Sequence, residues 1–75
     1  LDRYNEAIAA YQRALEIEPN NSSVYFEIGV AHYRKKVYSE SIKAFLECLR
    51  LNPNNPVPYY RVALDYIALG QDEKL

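Results

Sequence analysis

Side chains able to do chemistry are few in this chain, and they are scattered. It has one histidine, His32, and one cysteine, Cys48. A nucleophile of the Cys–His or Ser–His kind needs its base within hydrogen-bond reach of the thiol or hydroxyl. His32 instead falls on an apolar helical stripe with Tyr25, Ile28 and Gly29. No serine or cysteine is spaced to use it as a base, so its expected role is packing. Cys48 occupies a small-residue position on another stripe, where a buried thiol is inert. One cysteine rules out an internal disulfide and argues against zinc ligation. Phosphate cradles need clustered glycines, and the two glycines, Gly29 and Gly70, stand alone. Glu40, Lys43 and Glu47 share one helical face, and Arg61 and Asp65 share another. That spacing reads as surface pairs worth about 0.2–0.5 kcal/mol each. These residues imply no catalytic site, no metal and no cofactor.

The bulk properties narrow the classes further. Apolar residues make up 49% of the 75, too many for a disordered chain. With 25% charged residues and a formal net charge of −1, nothing favours nucleic acid or an acidic membrane as partner. The densest basic run, Arg34-Lys35-Lys36, reads as a cationic helix end that complements the C-terminal dipole. No apolar run approaches a membrane span and no signal peptide is visible. The chain starts on Leu1 and has no methionine, which points to a piece of something longer.

Organisation comes from an internal repeat. Pro19-Asn20-Asn21 recurs as Pro53-Asn54-Asn55, 34 residues on. Aligning 1–21 with 35–55 gives 8 identities, Tyr4/Tyr38, Glu6/Glu40, Ile8/Ile42, Ala10/Ala44 and Leu15/Leu49 among them. Aligning 22–41 with 56–75 keeps the pattern more than the identities: Tyr25/Tyr59, Phe26/Tyr60, Ile28/Val62, Gly29/Ala63, Val30/Leu64 and His32/Tyr66. A period of this length is the mark of stacked repeats.

Each half of the repeat has helical periodicity. Ala7, Ile8, Tyr11, Ala14 and Leu15 form one stripe, copied by Ser41, Ile42, Phe45, Cys48 and Leu49. These two helices have polar backs and belong in an outer layer. The other two carry a second stripe: Phe26, Val30 and Tyr33, copied by Tyr60, Leu64 and Ile67. A helix apolar nearly all round should be covered on more than one side, so these form an inner layer. Pro19 and Pro53 stop the outer helices. Asn21, Ser22 and Asn55 can cap the inner ones. Pro56 and Pro58 fit a first helical turn, where no N–H is lost. Asn20-Asn21-Ser22 and Asn21-Ser22-Ser23 match the N-glycosylation pattern but are taken as capping chemistry.

On these residues the chain resembles the tetratricopeptide repeat family, whose unit is a 34-residue helix–turn–helix. The family segment W-x2-L-G-x2-Y is matched by Tyr25-x2-Ile28-Gly29-x2-His32. A-x3-F is matched by Ser41-x3-Phe45, and the closing proline by Pro53. Ala7-x3-Tyr11 with Pro19 carries the same half-signature earlier in the chain. Ser41 and Cys48 replace the usual alanines, and Val62-Ala63 replaces Leu-Gly. The resemblance implies an all-α fold: four helices in antiparallel helix–turn–helix units stacked as a superhelical solenoid. Residues 1–21 would be the second helix of one unit, 22–55 a complete unit, and 56–75 the first helix of a third, ending in a turn at Gly70. Cut in mid-repeat at both ends and without a polar capping helix, the chain is expected to be a segment of a longer array, or to have those faces covered by another chain.

The resemblance also implies a function. In the family, the second stripe of the first helices lines a concave face that receives a peptide or another protein's segment. By position, the groove would comprise Phe26, Val30, Tyr33, Arg34, Val57, Tyr60, Arg61, Leu64 and Ile67, with Ser23 and Ala68 also in its lining. Some members hold acidic C-termini with lysines and asparagines on this face. Here Phe26 and Val30 occupy two of those slots and Arg61 alone fits a basic one, so an apolar or amphipathic partner is expected. The alternatives left open are a self-association unit and a regulatory array of a larger enzyme whose catalytic domain lies elsewhere.

Overall fold

The fold is seen in a computed structural model that describes residues 3–73. Four helices follow one another: α1 (Tyr4–Ile17), α2 (Ser22–Arg34), α3 (Tyr38–Leu51) and α4 (Val57–Glu73). No strand forms among the described residues. Each helix packs along its neighbour in sequence, α1 on α2, α2 on α3 and α3 on α4. Short turns between packed helices reverse the chain at every step, which gives the all-α hairpin stack that the 34-residue period predicts.

The Pro-Asn-Asn segments are the joints. Ahead of Pro19, the Glu18 N–H closes α1 on the Ala14 carbonyl at 2.8 Å. Asn21 then caps α2: its Oδ1 accepts from the Val24 N–H at 3.3 Å, and its Nδ2 donates to Glu18 at 3.2 Å. At the second joint the Asn52 N–H closes α3 on Cys48, and Asn55 Oδ1 accepts from the Val57 N–H at 3.1 Å. Pro58 lies in the first turn of α4, while Pro56 precedes the helix and its carbonyl receives the Tyr59 N–H. The turn between α2 and α3 has another chemistry. The Lys36 N–H bonds the Tyr33 carbonyl and the Val37 N–H bonds that of His32, both at 2.9 Å, with Lys36 at φ 67. This is a Schellman closure, normally built on glycine. The adjoining Lys35 ammonium donates to the side chain of Asn5 in the first turn of α1.

Two expectations about the elements need correction. Two-sided cover is not reserved for the doubly striped helices: α2 has it, between α1 and α3, but so does the singly striped α3, and α4 lacks it. Ser41, Ile42, Ala44, Phe45, Cys48 and Leu49 are all buried, against Ile8 alone in α1 and Ile28, Gly29 and Ala31 in α2. The reason is position in the stack: α3 is flanked by α2 and α4, whereas α4 has a helix on one side and leaves both its apolar stripes open. The two-layer arrangement itself stands. The Arg61 guanidinium of α4 reaches the Phe26 ring of α2, and a cleft lined by α1, α2 and α3 opens on the other side. The second correction concerns Gly70, which makes no turn. Its φ is not positive, and α4 runs through it to Glu73. The 34-residue counterpart of Gly70 is Lys36, the residue that does take the left-handed conformation.

Candidate functional site

The hairpin of α2 and α3 fixes the centre of the candidate surface. The Phe45 ring, with 0% of its surface exposed, lies in a notch over Gly29. A Cβ on Gly29 would stand 2.7 Å from Cζ of Phe45, closer than packed atoms approach. Ser41 Oγ donates to the Gly29 carbonyl at 2.8 Å, and the Cys48 thiol to that of Ser22 at 3.3 Å. Both small residues thus tie α3 to α2 by capping carbonyls as well as by close approach. Burial pushes the Cys48 thiol up from its ordinary range, which keeps it protonated and unreactive.

Phe26 rests on the edge of Phe45, with ring centroids 5.3 Å apart at 69°. Arg61 covers its other side at 5.6 Å from the ring centroid, within cation–π range. Phe26 is therefore half core, half surface. Tyr33 is drawn to the hairpin as well, its ring 5.6 Å from that of Tyr38. Val30 and Arg34 line an open cleft of about 250 Å³ against Tyr4, Ala7 and Tyr11 of α1. Phe26 and Val57 line a second, of about 300 Å³, with Ser22, Ser23 and Asn55. Along α4, Tyr60 (70%), Leu64 (45%) and Ile67 (59%) stand open to solvent. Val57, Tyr59 and Tyr66 are exposed too. The nine expected groove residues thus separate: Phe26 and Val57 line one cleft, with Arg61 over the Phe26 ring, Val30 and Arg34 line another, Tyr33 packs on Tyr38, and the α4 trio is exposed.

Glu27 lines both clefts and was not among the nine. It is a charged position on a helix that is otherwise mostly apolar. Its register partner is Arg61, so the same position carries opposite charges on the two helices. The α1 contributors were passed over because Ala7 and Tyr11 belong to the packing stripe. They are half-buried, and their outer edges form the cleft wall.

Among charged residues, the three- and four-residue spacings behave unequally. Lys43 pairs with Glu40 at 3.2 Å, Arg50 with Glu47 at 3.0 Å and Arg13 with Glu16 at 3.6 Å, all at the surface. Asp65 is not the surface partner of Arg61 that their spacing suggests. It has 0% exposure, and neither carboxyl oxygen accepts a hydrogen bond among the described residues. It is the 34-residue counterpart of Ala31, which is buried beside α1, and so it faces the preceding helix. His32 is half-buried on the opposite side, in the cleft shared by α1 and α3. Desolvation first, then the Lys35 charge, holds its pKa below 6.5, against a smaller upward pull from Glu40. No group of three or more metal-ligating side chains gathers among the described residues. No described helix is long and apolar enough to cross a membrane.

A stack of helical hairpins repeating at 34 residues, notched by a glycine and lined by small residues, defines a helical-repeat protein. Residues 1–36 match the family model for a TPR repeat, and residues 22–55 match that for the tetratricopeptide repeat. The chain belongs to the tetratricopeptide repeat family, whose repeats are generally protein–protein interaction modules. No curated protein matches the chain.

Proposed function

We propose that the chain is an interaction module whose α2–α4 face takes an apolar or amphipathic segment of another protein. The observation that carries this reading is the open wall of Tyr60, Leu64 and Ile67 on α4, the helix whose Val57 lines the cleft of Phe26, with Val30 in a further cleft on α2. A contiguous apolar patch flanked by polar residues marks an interaction site more often than a scattered set does. Phe26, held by Phe45 beneath and Arg61 above, supplies the rigid aromatic anchor that such sites favour. On this reading, 1–21 is the second helix of one repeat, 22–55 a whole repeat and 56–75 the first helix of the next. Tyr33, packed on Tyr38, contributes only at the margin.

The experiment is a peptide selection. A displayed library of random peptides is panned on the chain and on its Val30→Glu/Leu64→Glu variant. We expect apolar or amphipathic sequences to be enriched by the wild type and at least tenfold less by the variant, with the helical circular dichroism of the two alike. Equal enrichment by both would sink the reading.

A second reading has its own observation. Tyr59 and Tyr66 are exposed on the α4 face whose counterparts, Tyr25 and His32, lie beside α3. That face favours a further helix, and self-association would supply one. Sedimentation between micromolar and millimolar concentration separates the readings: mass rising with concentration, and held at the monomer by Tyr66→Glu, marks self-association.

A further inference from the structure

We propose that Asp65 is a proton-dependent latch between α3 and α4. As a neutral acid it docks α4 onto α3, and its ionisation loosens that contact. The inference rests on packing alone and stands or falls separately from the binding reading.

The geometry leaves a carboxylate no favourable partner. Asp65 is completely buried, with both oxygens unpaired among the described residues. Ser41 on α3 is the polar side chain beside it, yet the Ser41 proton is already given to the Gly29 carbonyl at 2.8 Å. With that bond made, Ser41 offers Asp65 a lone pair. Turning the hydroxyl towards a carboxylate would favour the anion only by giving up the bond to Gly29. A carboxylic acid donates to that lone pair, completing a chain from Asp65 to Ser41 to Gly29 that links α4, α3 and α2. A buried polar group without a partner is costly, and a buried charge more so. Protonation relieves both costs at once.

The charged surroundings do not change this. Arg61, one turn earlier on α4, is the cation acting on Asp65, but its guanidinium lies over Phe26 and forms no ion pair with the carboxylate. From α3, Glu40 and Lys43 pair with each other at the surface, as do Glu47 and Arg50. Of the other titratable groups on α3, Cys48 is turned to the Ser22 carbonyl and the Tyr38 ring packs on Tyr33. From α2, Glu27 is exposed in the clefts. Burial is accordingly the dominant influence and raises the Asp65 pKa above 3.8, against smaller downward pulls from Ser41 and Arg61. The sign follows by linkage. Between the unfolded value and the higher folded one, the folded chain binds more protons, so stability is full below about pH 3.9 and falls as pH rises through the folded pKa.

Two measurements on the whole chain test the latch. The first follows the side-chain carboxyl carbon of Asp65 by NMR through a pH titration. The second compares urea midpoints of wild type, Asp65→Asn and Asp65→Ala from pH 3 to 7.5, the alanine restoring the residue type of Ala31. We expect Asp65 to titrate above the value of about 3.9 for a free aspartate. We expect both variants to have higher midpoints than wild type at neutral pH, with the gap closing towards pH 3. An Asp65 that titrates at or below that value overturns the proposal. So does an Asp65→Asn variant less stable than wild type at pH 7, or a gap that does not change with pH. Should a variant fail to fold, the wild-type titration decides.

Discussion

Gly29 is the residue at which the packing is least forgiving. Its missing side chain is the space that Phe45 fills. Gly29→Ala returns about 1 kcal/mol of helix propensity but forces a completely buried ring to move, and overpacking costs about 1–3 kcal/mol. We expect a net loss of about 1 kcal/mol in urea unfolding, with the Phe26–Phe45 contact disturbed in NMR spectra. A more stable variant would show that Phe45 has room to shift. Lys36 presents the reverse case. It holds a left-handed conformation that costs an L residue about 1–2 kcal/mol, in a closure that glycine makes without side-chain strain. Lys36→Gly is expected to raise stability by about 1 kcal/mol, read as a higher urea midpoint. His32 adds a pH dependence of opposite sign to that of Asp65. Because its folded pKa is lowered from 6.5, its contribution is complete above that value and is lost as pH falls through the folded pKa. Between pH 7.5 and 5 the wild type should lose stability relative to His32→Phe; equal changes in the two would show that His32 is hydrated.

At the scale of elements, α1 and α3 show what a stripe can and cannot say. Both carry the same five-position apolar pattern, and that pattern is enough to make each a helix and to place its packing face. It does not report how many neighbours the helix has. Buried on two sides, α3 uses even the small positions Ser41 and Cys48 as hydrogen-bond donors, while α1 with its equivalent Ala7 and Ala14 leaves a cleft. The capping chemistry of Pro-Asn-Asn was legible because it is local: a proline and an asparagine act on atoms within a few residues. The burial of Asp65 was not, because an i, i+4 pair with Arg61 looks the same whether or not another helix covers one member. Tyr33 was likewise placed in the groove by the family resemblance, and its commitment to Tyr38 depends on the turn that brings α3 back. For α4 the test lies at Gly70. The helix passes through it, and a Cβ there would meet nothing within 4 Å. In this chain Gly70→Ala should therefore strengthen α4 by about 0.5–1 kcal/mol, visible as increased helicity and slower exchange of its last turns. Loss of helicity would mean that the glycine serves a turn after all.

The whole molecule behaves as a line of helices in which each is held by the ones beside it. In such a stack stability is roughly the sum of each unit and its contacts with nearest neighbours, so it need not be uniform along the chain. The distribution of buried side chains orders the helices. Six residues of α3 are buried, three of α2, and Ile8 alone in α1. The N-terminal helix has one neighbour, joined through a half-open cleft and the Lys35–Asn5 contact. It should detach without unfolding the α2–α3 hairpin, whose Phe45–Gly29 notch and Ser41 bond remain closed. Native-state hydrogen exchange in low urea checks this. Amides of α3 facing Gly29 should exchange only by global opening, while those of α1 exchange faster and with a weaker dependence on urea. Ile8→Ala, which removes the one buried side chain of α1, should speed exchange in α1 by at least tenfold and leave the middle of α3 nearly unchanged. If both helices respond equally, the chain opens as a single cooperative unit and the nearest-neighbour picture fails. If α1 alone responds, the α1 wall of the cleft that holds Val30 and Arg34 is the movable side of the surface, and a ligand seated between them and Tyr11 would stabilise α1 first.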